Sequence, residues 1–422
     1  MIVKVGRYPL HSGGVGAIRT LGRLGVPVFA TVEDRLTPAA LSRYCAGWFR
    51  WRVTGREPAE DLVGGLCQIG RRLGRRSVAV PVDDAAAVLI AEHADVLGEF
   101  FLFPRVAADL PRRLSSKHEL YGLCRRHGVP APESALLSTP AELAAFAAGA
   151  VFPVVVKDSD PWVRQRAPVV GGTTVLETPA ELLALAGGLG GGAGLVVQEY
   201  LPMEEAEDWI VHLYCDTRSD CLVLFTGVKV RSWPLHTGAT ACGYAVPNPD
   251  LARLAARFCK EIGFQGVADL DWRLDRRDGR FKLVDFNPRM GNQFRLFENA
   301  AGTDVVRALY LDLTGRGVPA GSQLDGRRIV VEHIDVLARW GYRGSPYVTP
   351  SVPPGEVSTE WAWLAGDDPL PFVAMWPRLV KPLAAYLTDR RRARRRCRLE
   401  ARPGGRLGDG GRDSNLAKDG VQ

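Results

Sequence analysis

The stretch Gly266–Arg289, GVADLDWRLDRRDGRFKLVDFNPR, decides how this chain is read. It divides into two strand-like runs around the turn Arg277-Asp278-Gly279. In the second run Asp285, Asn287 and Arg289 stand at i, i+2 and i+4, so their side chains share one face. Asp269 and Asp271 share a face of the first run in the same way. A three-residue turn with Gly279 left-handed sets Asp271 opposite Asp285 and Asp269 opposite Asn287. A two-residue turn centred on Asp278-Gly279 would instead pair Asp271 with Phe286 and disperse the acids. Carboxylates opposed across a sheet repel unless a cation lies between them. The flanking Leu283, Val284 and Phe286 predict half-buried strands, where unpaired carboxylates are costly. Hard oxygen donors in this pattern suit Mg2+, which takes one or two carboxylates and completes its shell with phosphate and water. Arg289 would then meet phosphate oxygens. The stretch reads as a magnesium–nucleotide site, the alternative being a surface hairpin with solvated acids.

The 422 residues are enough for two or three packed units. No apolar run is long enough to cross a bilayer: Ala144 to Val156 is short and carries Gly149 and Pro153. The opening MIVKVGRYPL starts like a strand and lacks the features of a signal peptide, so a cytoplasmic protein is expected. The eight cysteines are scattered without a C-x-x-C pair, so neither a zinc site nor a disulfide framework is expected. The net charge of +7 is matched by the segment from Arg390 onward, with 11 basic residues against four acids. Residues 1–389 are therefore balanced, and the excess belongs to a basic tail that cannot bury enough apolar surface to fold alone. No specific nucleic-acid partner is expected.

Residues 1 to about 110 alternate strand and helix, with strands at Ile2–Val5, Val28–Thr31 and Val78–Val82. This rhythm predicts a doubly wound parallel α/β sheet. Ser12-Gly13-Gly14-Val15-Gly16 reads as a glycine turn before a helix running to Leu24. Its G-G-x-G-x-x-R pattern lacks the third glycine of a dinucleotide-binding loop, which favours a loop on the substrate side. Lys117–Arg126 reads as a helix after Ser115-Ser116. Strands follow at Phe152–Asp158, Leu195–Leu201, Ile210–Cys215 and Leu222–Val230, with a helix at Ala180–Leu185, giving an α+β centre. A closing helix is expected over Leu379–Leu387, with Pro382 in its first turn.

Lysine is scarce, eight against 46 arginines, so a retained lysine suggests a need for a compact charge on a flexible stem. Lys157 ends the apolar run Val154-Val155-Val156, and Lys117 opens a helix; both suit phosphate oxygens. Gly171-Gly172-Thr173-Thr174 is a turn whose amides and hydroxyls suit the same partner. Gln198-Glu199-Tyr200-Leu201 closes an apolar strand whose backbone can read an adenine edge, and the acids that follow include Asp208.

The order of these elements resembles the ATP-grasp superfamily, in its carboxylate–amine ligase branch with D-aspartate ligase-like proteins. The resemblance spans roughly residues 1–340. It implies a pre-ATP-grasp domain (1–112) and then a two-lobed ATP-grasp fold with an N-terminal lobe (113–190) and a C-terminal lobe (191–330). A C-terminal extension packing on the lobes (331–389) and the basic tail (390–422) complete the expected organisation. It also implies that Lys117 and Lys157 contact ATP phosphates and that Gly171, Gly172, Thr173 and Thr174 close over them. Gln198, Glu199, Tyr200 and Leu201 would bind the adenine end, with Asp208 on the ribose. Asp271, Asp285 and Asn287 would hold Mg2+, or Mn2+ in its place, and Arg289 would steady the transferred phosphoryl group. Members of this branch usually carry glutamates where Asp271 and Asp285 stand, and each shorter side chain would move a ligand.

Such enzymes turn a carboxylate into an acyl phosphate that an amine attacks, which needs metal, cations and closure rather than a covalent nucleophile. No Ser/His/Asp or Cys/His set stands out among the seven histidines. Arg231, in KVRSWPLHTGAT, is the candidate clamp on acyl phosphate or substrate carboxylate. His236 reads as a core or exposed histidine rather than a base, and Asn292 as a substrate contact. Small carboxylic acids and amines are the expected partners, with a homodimer possible. The alternatives are a small-molecule kinase or carboxylase of the same fold and a non-catalytic nucleotide-binding protein.

Overall fold

Short apolar runs separated by helix-length segments make the first hundred residues a parallel sheet. The computed structural model describes residues 1–53, 57–159, 169–170, 173–189, 194–343 and 358–379. The strands Ile2–Val3 (β1), Val28–Val32 (β2), Cys45–Arg50 (β3) and Val80–Pro81 (β5) lie in the order β3-β2-β1-β5, all parallel. Ser77–Val78 (β4) and Phe101–Leu102 (β6) form a separate parallel pair. Parallel neighbours need crossovers, supplied by the helices Ser12–Gly22, Ala59–Leu73 and Asp84–Glu92.

The glycine run expected as a turn is instead the start of the first helix, which begins at Ser12. Glycine is a poor helix former, but packing overrides that preference here. A Cβ on Gly13 would lie 2.9 Å from the Asn292 Cα. His11 caps the helix, its Nδ1 accepting from the Gly14 N–H at 2.8 Å. Ile18 and Leu21 pack in one core with Phe294, Leu296 and Phe297, each buried side chain contributing about 1.5–3 kcal/mol.

Two antiparallel sheets follow. The smaller has the order β7-β10-β8-β9, from Ser134–Leu137 (β7), Val154–Asp158 (β8), Thr174–Leu176 (β9) and Leu195–Glu199 (β10). Its helices Pro140–Gly149 and Pro179–Leu183 both start with capping boxes, Thr139 with Glu142 and Thr178 with Glu181. The larger sheet is built on Ala206–Cys215 (β11), Cys221–Trp233 (β12), Ala239–Ala245 (β13), Gly266–Asp275 (β14) and Arg280–Asn287 (β15). Arg328–Val330 (β16) and Thr359–Trp361 (β17) complete the order β15-β14-β11-β12-β13-β16-β17. The helix Lys117–Arg126 forms with the expected bounds, its Ser116 side chain accepting from the Glu119 N–H.

Met1–Trp376 forms one compact unit, and Pro377–Gln422 is grouped apart from it. Within the first unit, segment 358–376 returns to the N-terminal sheet. Asp368, buried, accepts from Arg19 Nε (2.9 Å), Ser42 Oγ (2.7 Å) and the Arg43 N–H (2.9 Å). The helix expected over Leu379–Leu387 and the basic tail lie outside the described residues, Leu379 apart. Among the described residues no helix is long and apolar enough to cross a membrane.

Candidate functional site

The acidic hairpin reaches its expected pairing by an unexpected route. The connection is four residues, Arg276 to Gly279, between the paired Asp275 and Arg280, not the three expected. Gly279 is left-handed, at φ +70°. Asp275 fixes the turn by accepting from Arg277 Nε (2.9 Å) and Lys282 Nζ (2.9 Å). Trp272 then faces Leu283, and a bulge beyond them leaves Val284 without a partner in the register. That extra residue shifts the ladder by one, so Asp271 faces Asp285 and Asp269 faces Asn287.

Each carboxylate carries a cation. Lys229 Nζ on β12 donates to Asp271 Oδ1 at 2.7 Å, and Lys117 pairs with Asp285. Asp269 accepts from Arg289 (3.2 Å) and Gln293 (3.2 Å) and lies 3.0 Å from His212 Nε2. Arg289 also donates to Asn287 Oδ1 (2.9 Å) and pairs with Asp84 (3.3 Å). Burial pushes the Asp271 carboxyl up; Lys229 opposes this, while Asp269 and Asp285 add to it. Burial acts the same way on Asp285, but Lys117, Lys157 and Arg289 outweigh it and hold that carboxyl below its usual range. Asp271 is thus the carboxyl of the pair whose charged form burial disfavours.

The hairpin forms one wall of a cleft of about 290 Å3. Lys117, Lys157, Thr173, Gln198, Glu199, Tyr200, Leu201, Asp208, Asp271 and Asp285, ten of the candidate residues, line it. Lys157, on β8, donates to Gln198 Oε1 at 3.1 Å. Glu199 is held by Lys282 (3.0 and 3.1 Å) and Arg277 (2.8 Å). Asp208 accepts from Arg273 Nε at 2.8 Å.

No protein-family model matches the chain. In sequence it is similar to a D-aspartate ligase of Enterococcus faecium (strain Aus0004), 24% identical over 229 residues, 51% of this chain and 54% of that ligase. The chain thus spans about half the length of that relative. In structure it is similar to N5-carboxyaminoimidazole synthetase from Staphylococcus aureus, with TM-score 0.59, 12% identity, and 82% of this chain and 85% of that one covered. L-amino acid ligase from Bacillus licheniformis gives TM-score 0.54 and 15% identity over 71% of this chain and 70% of that one. The biotin carboxylase domain of Hydrogenobacter thermophilus 2-oxoglutarate carboxylase, solved with MgADP and bicarbonate, gives 0.55 and 14% over 76% and 70%. The fold is ATP-grasp.

Not every candidate residue reaches the ATP-grasp cleft. Arg231 does not line it: its Nε donates to Asp335 Oδ1 at 2.7 Å, on the helix Glu332–Gly341. The expected clamp is therefore a partner of that helix. Thr174 opens β9 opposite Val156, beside the lining rather than in it. Gly171 and Gly172 lie outside the described residues. Asn287 and Arg289 are not among the lining residues and are joined to each other, next to Asp285 along the same strand. Asn292 accepts from the Gly13 N–H at 3.2 Å, at the start of the first helix.

Lys229, Arg273 and His236 line the ATP-grasp cleft and were not singled out by sequence as binding groups. Lysine scarcity carries the signal for Lys229 as well as it does for Lys157. His236 is partly buried, with a positive φ of 63°, and its carbonyl accepts from Arg273 at 3.2 Å. The donor set fits a hard divalent cation: two carboxylates opposed across the ladder, Asp271 and Asp285, and the Asn287 amide two residues along. Asn287 fits less directly, because its amide oxygen already accepts from Arg289. Among the described residues no three His, Cys, Asp or Glu side chains form a ligand cluster, so phosphate and water would supply the rest of the shell.

Proposed function

We propose that this chain is an ATP-dependent carboxylate–amine ligase. The observation that carries the reading is the convergence of opposed Asp271 and Asp285 with Lys117, Lys157 and Lys229 around one cleft. Such a cleft suits a triphosphate with a divalent ion. The similarity to D-aspartate ligase and to L-amino acid ligase supports carbon–nitrogen bond formation. The MgADP held by the Hydrogenobacter relative supports nucleotide and Mg2+ here, with Mn2+ as a substitute.

Asp271, Asp285 and Asn287 would hold the metal, which when bound neutralises charge on the phosphates. Lys117, Lys157 and Lys229 meet phosphate oxygens, with the Thr173 and Thr174 hydroxyls beside them. Gln198 to Leu201 receive the base, and Asp208, steadied by Arg273, the ribose. An acid's carboxylate oxygen attacks the γ-phosphorus, giving an acyl phosphate and ADP, while Arg289 steadies the phosphoryl oxygens. An amine then attacks the carbonyl carbon and phosphate leaves. Arg231 has no part in this scheme, since Asp335 occupies it.

Likeness to a biotin carboxylase domain and to N5-carboxyaminoimidazole synthetase supports a second reading, carboxylation of a small molecule. Screening acid and amine panels for ADP release, with product analysis, separates the two. The ligase reading expects release that needs both substrates and yields an amide. Release that needs bicarbonate and yields a carboxylated product would replace it, and nucleotide binding without turnover would favour a non-catalytic protein.

A further inference from the structure

Three of the scattered cysteines take no part in the cleft, yet they meet at one point. Cys215 ends β11 and Cys221 opens β12, paired across the ladder with Asp216 to Asp220 turning between them. Their sulfurs are 3.0 Å apart in a thiol–thiol hydrogen bond. Cys259, on the helix Pro249–Glu261, is a third buried thiol facing the pair. Cys215 and Cys259 are fully buried and Cys221 only partly, so among the three a reagent from solvent reaches Cys221 first. Directly opposed residues of antiparallel strands also stand at a Cα separation that a disulfide can span.

We propose that Cys215 and Cys221 are a dithiol oxidised by hydroperoxides, with Cys221 attacked first and Cys215 closing the disulfide. The Cys221 thiolate attacks one peroxide oxygen and the O–O bond breaks, leaving Cys221 sulfenic acid and, from hydrogen peroxide, a hydroxide that takes up the proton released by the thiol and becomes water. Cys215 Sγ then attacks the Cys221 sulfur and the S–O bond breaks. Hydroxide leaves with the Cys215 proton as a second water. Two thiols are oxidised and one peroxide is reduced to two waters.

The surroundings favour this order. The neighbouring thiols Cys215 and Cys259 outweigh burial and lower the Cys221 thiol, although Asp220 and Asp216 oppose them. A thiolate, not a thiol, is the nucleophile. Cys45 is also partly exposed, but burial pushes its thiol up, which makes it an internal control. The disulfide would close the hairpin tip remote from Asp208 and Lys229, which stand at the other end of the same two strands.

The test treats the reduced full chain with equimolar hydrogen peroxide, quenches with an alkylating reagent and maps tryptic peptides. Arg218 lies between the two cysteines, so their disulfide joins two separate peptides. Cys221 should lose its thiol on the order of tenfold faster than Cys45, with the Cys215–Cys221 link as product. Cys215→Ser should accumulate a Cys221 sulfenic acid that a dione probe captures. Equal oxidation of Cys45, an intact Cys221, or a Cys221–Cys259 link in the unsubstituted chain would overturn the proposal.

Discussion

Replacing Asp285 by asparagine keeps the side chain's shape and removes one of the two charges facing each other across β14 and β15. The Lys117–Asp285 pair is partly open to solvent, its side chains 18% and 31% exposed, so its loss costs about 1 kcal/mol. Part of that returns, because Asp285 also repels Asp271. Thermal unfolding without ligand should therefore barely change. With MgADP at 100 times its Kd, the parent should gain about 2.7 kcal/mol of stability. A tenfold weaker site would gain about 1.4 kcal/mol at the same concentration. Chelating the metal should erase that difference between the two proteins. Once substrates are found, turnover should fall about a hundredfold or more, as when one preorganised transition-state contact is removed. A variant that keeps the full, metal-dependent gain would refute Asp285 as a metal holder.

Lys229→Met should leave the Asp271 carboxylate without its cation and cost about 2 kcal/mol in urea unfolding, less than for a fully buried pair because Asp271 is 28% exposed. Adding Asp271→Asn should restore most of that stability but not turnover; failure of the rescue would remove Lys229 as the partner. Arg289→Lys should lower turnover about a hundredfold with nucleotide affinity nearly unchanged, since one ammonium cannot reproduce the fork now shared by Asp269, Asn287 and Asp84. His11 supplies a pH dependence: burial lowers it to about 3, and its Nδ1 must stay unprotonated to cap the first helix. A base depressed in the folded state is protonated only in the unfolded chain between pH 6.5 and 3, so stability falls as pH drops through that window. At pH 5 the loss should be about 1–2 kcal/mol, allowing for its partly open surface. His11→Asn should remove that increment when unfolding is compared at pH 7 and pH 5.

The alternation of Asp269, Asp271, Asp285 and Asn287 was legible because strand geometry fixes which side chains share a face. The turn was not, since a four-residue connection and a bulge at Val284 give the same pairing that a three-residue turn would. Ser116 and the residues after it announced their helix by local capping chemistry alone. Arg231 misled for the opposite reason: Asp335, which occupies it, lies more than a hundred residues away. The first turn of the first helix was hidden by its glycines, Gly13 being small because it packs against Asn292 and not from any local preference. Lys229 was legible in principle, by the same scarcity that marked Lys157, but nothing in β12 shows that its ammonium meets Asp271.

Arg19 reaches Asp368 across 349 residues of chain, and both are buried. During synthesis the first helix leaves the ribosome long before that carboxylate exists. Until it arrives, the guanidinium destined for the interior has no counter-charge, and burying it alone is unfavourable. Arg19 therefore stays hydrated until the segment carrying Asp368 docks beside it. Docking of that segment then closes over the first helix and the Ser42–Arg43 turn together, so one carboxylate joins two parts of the chain that are made early.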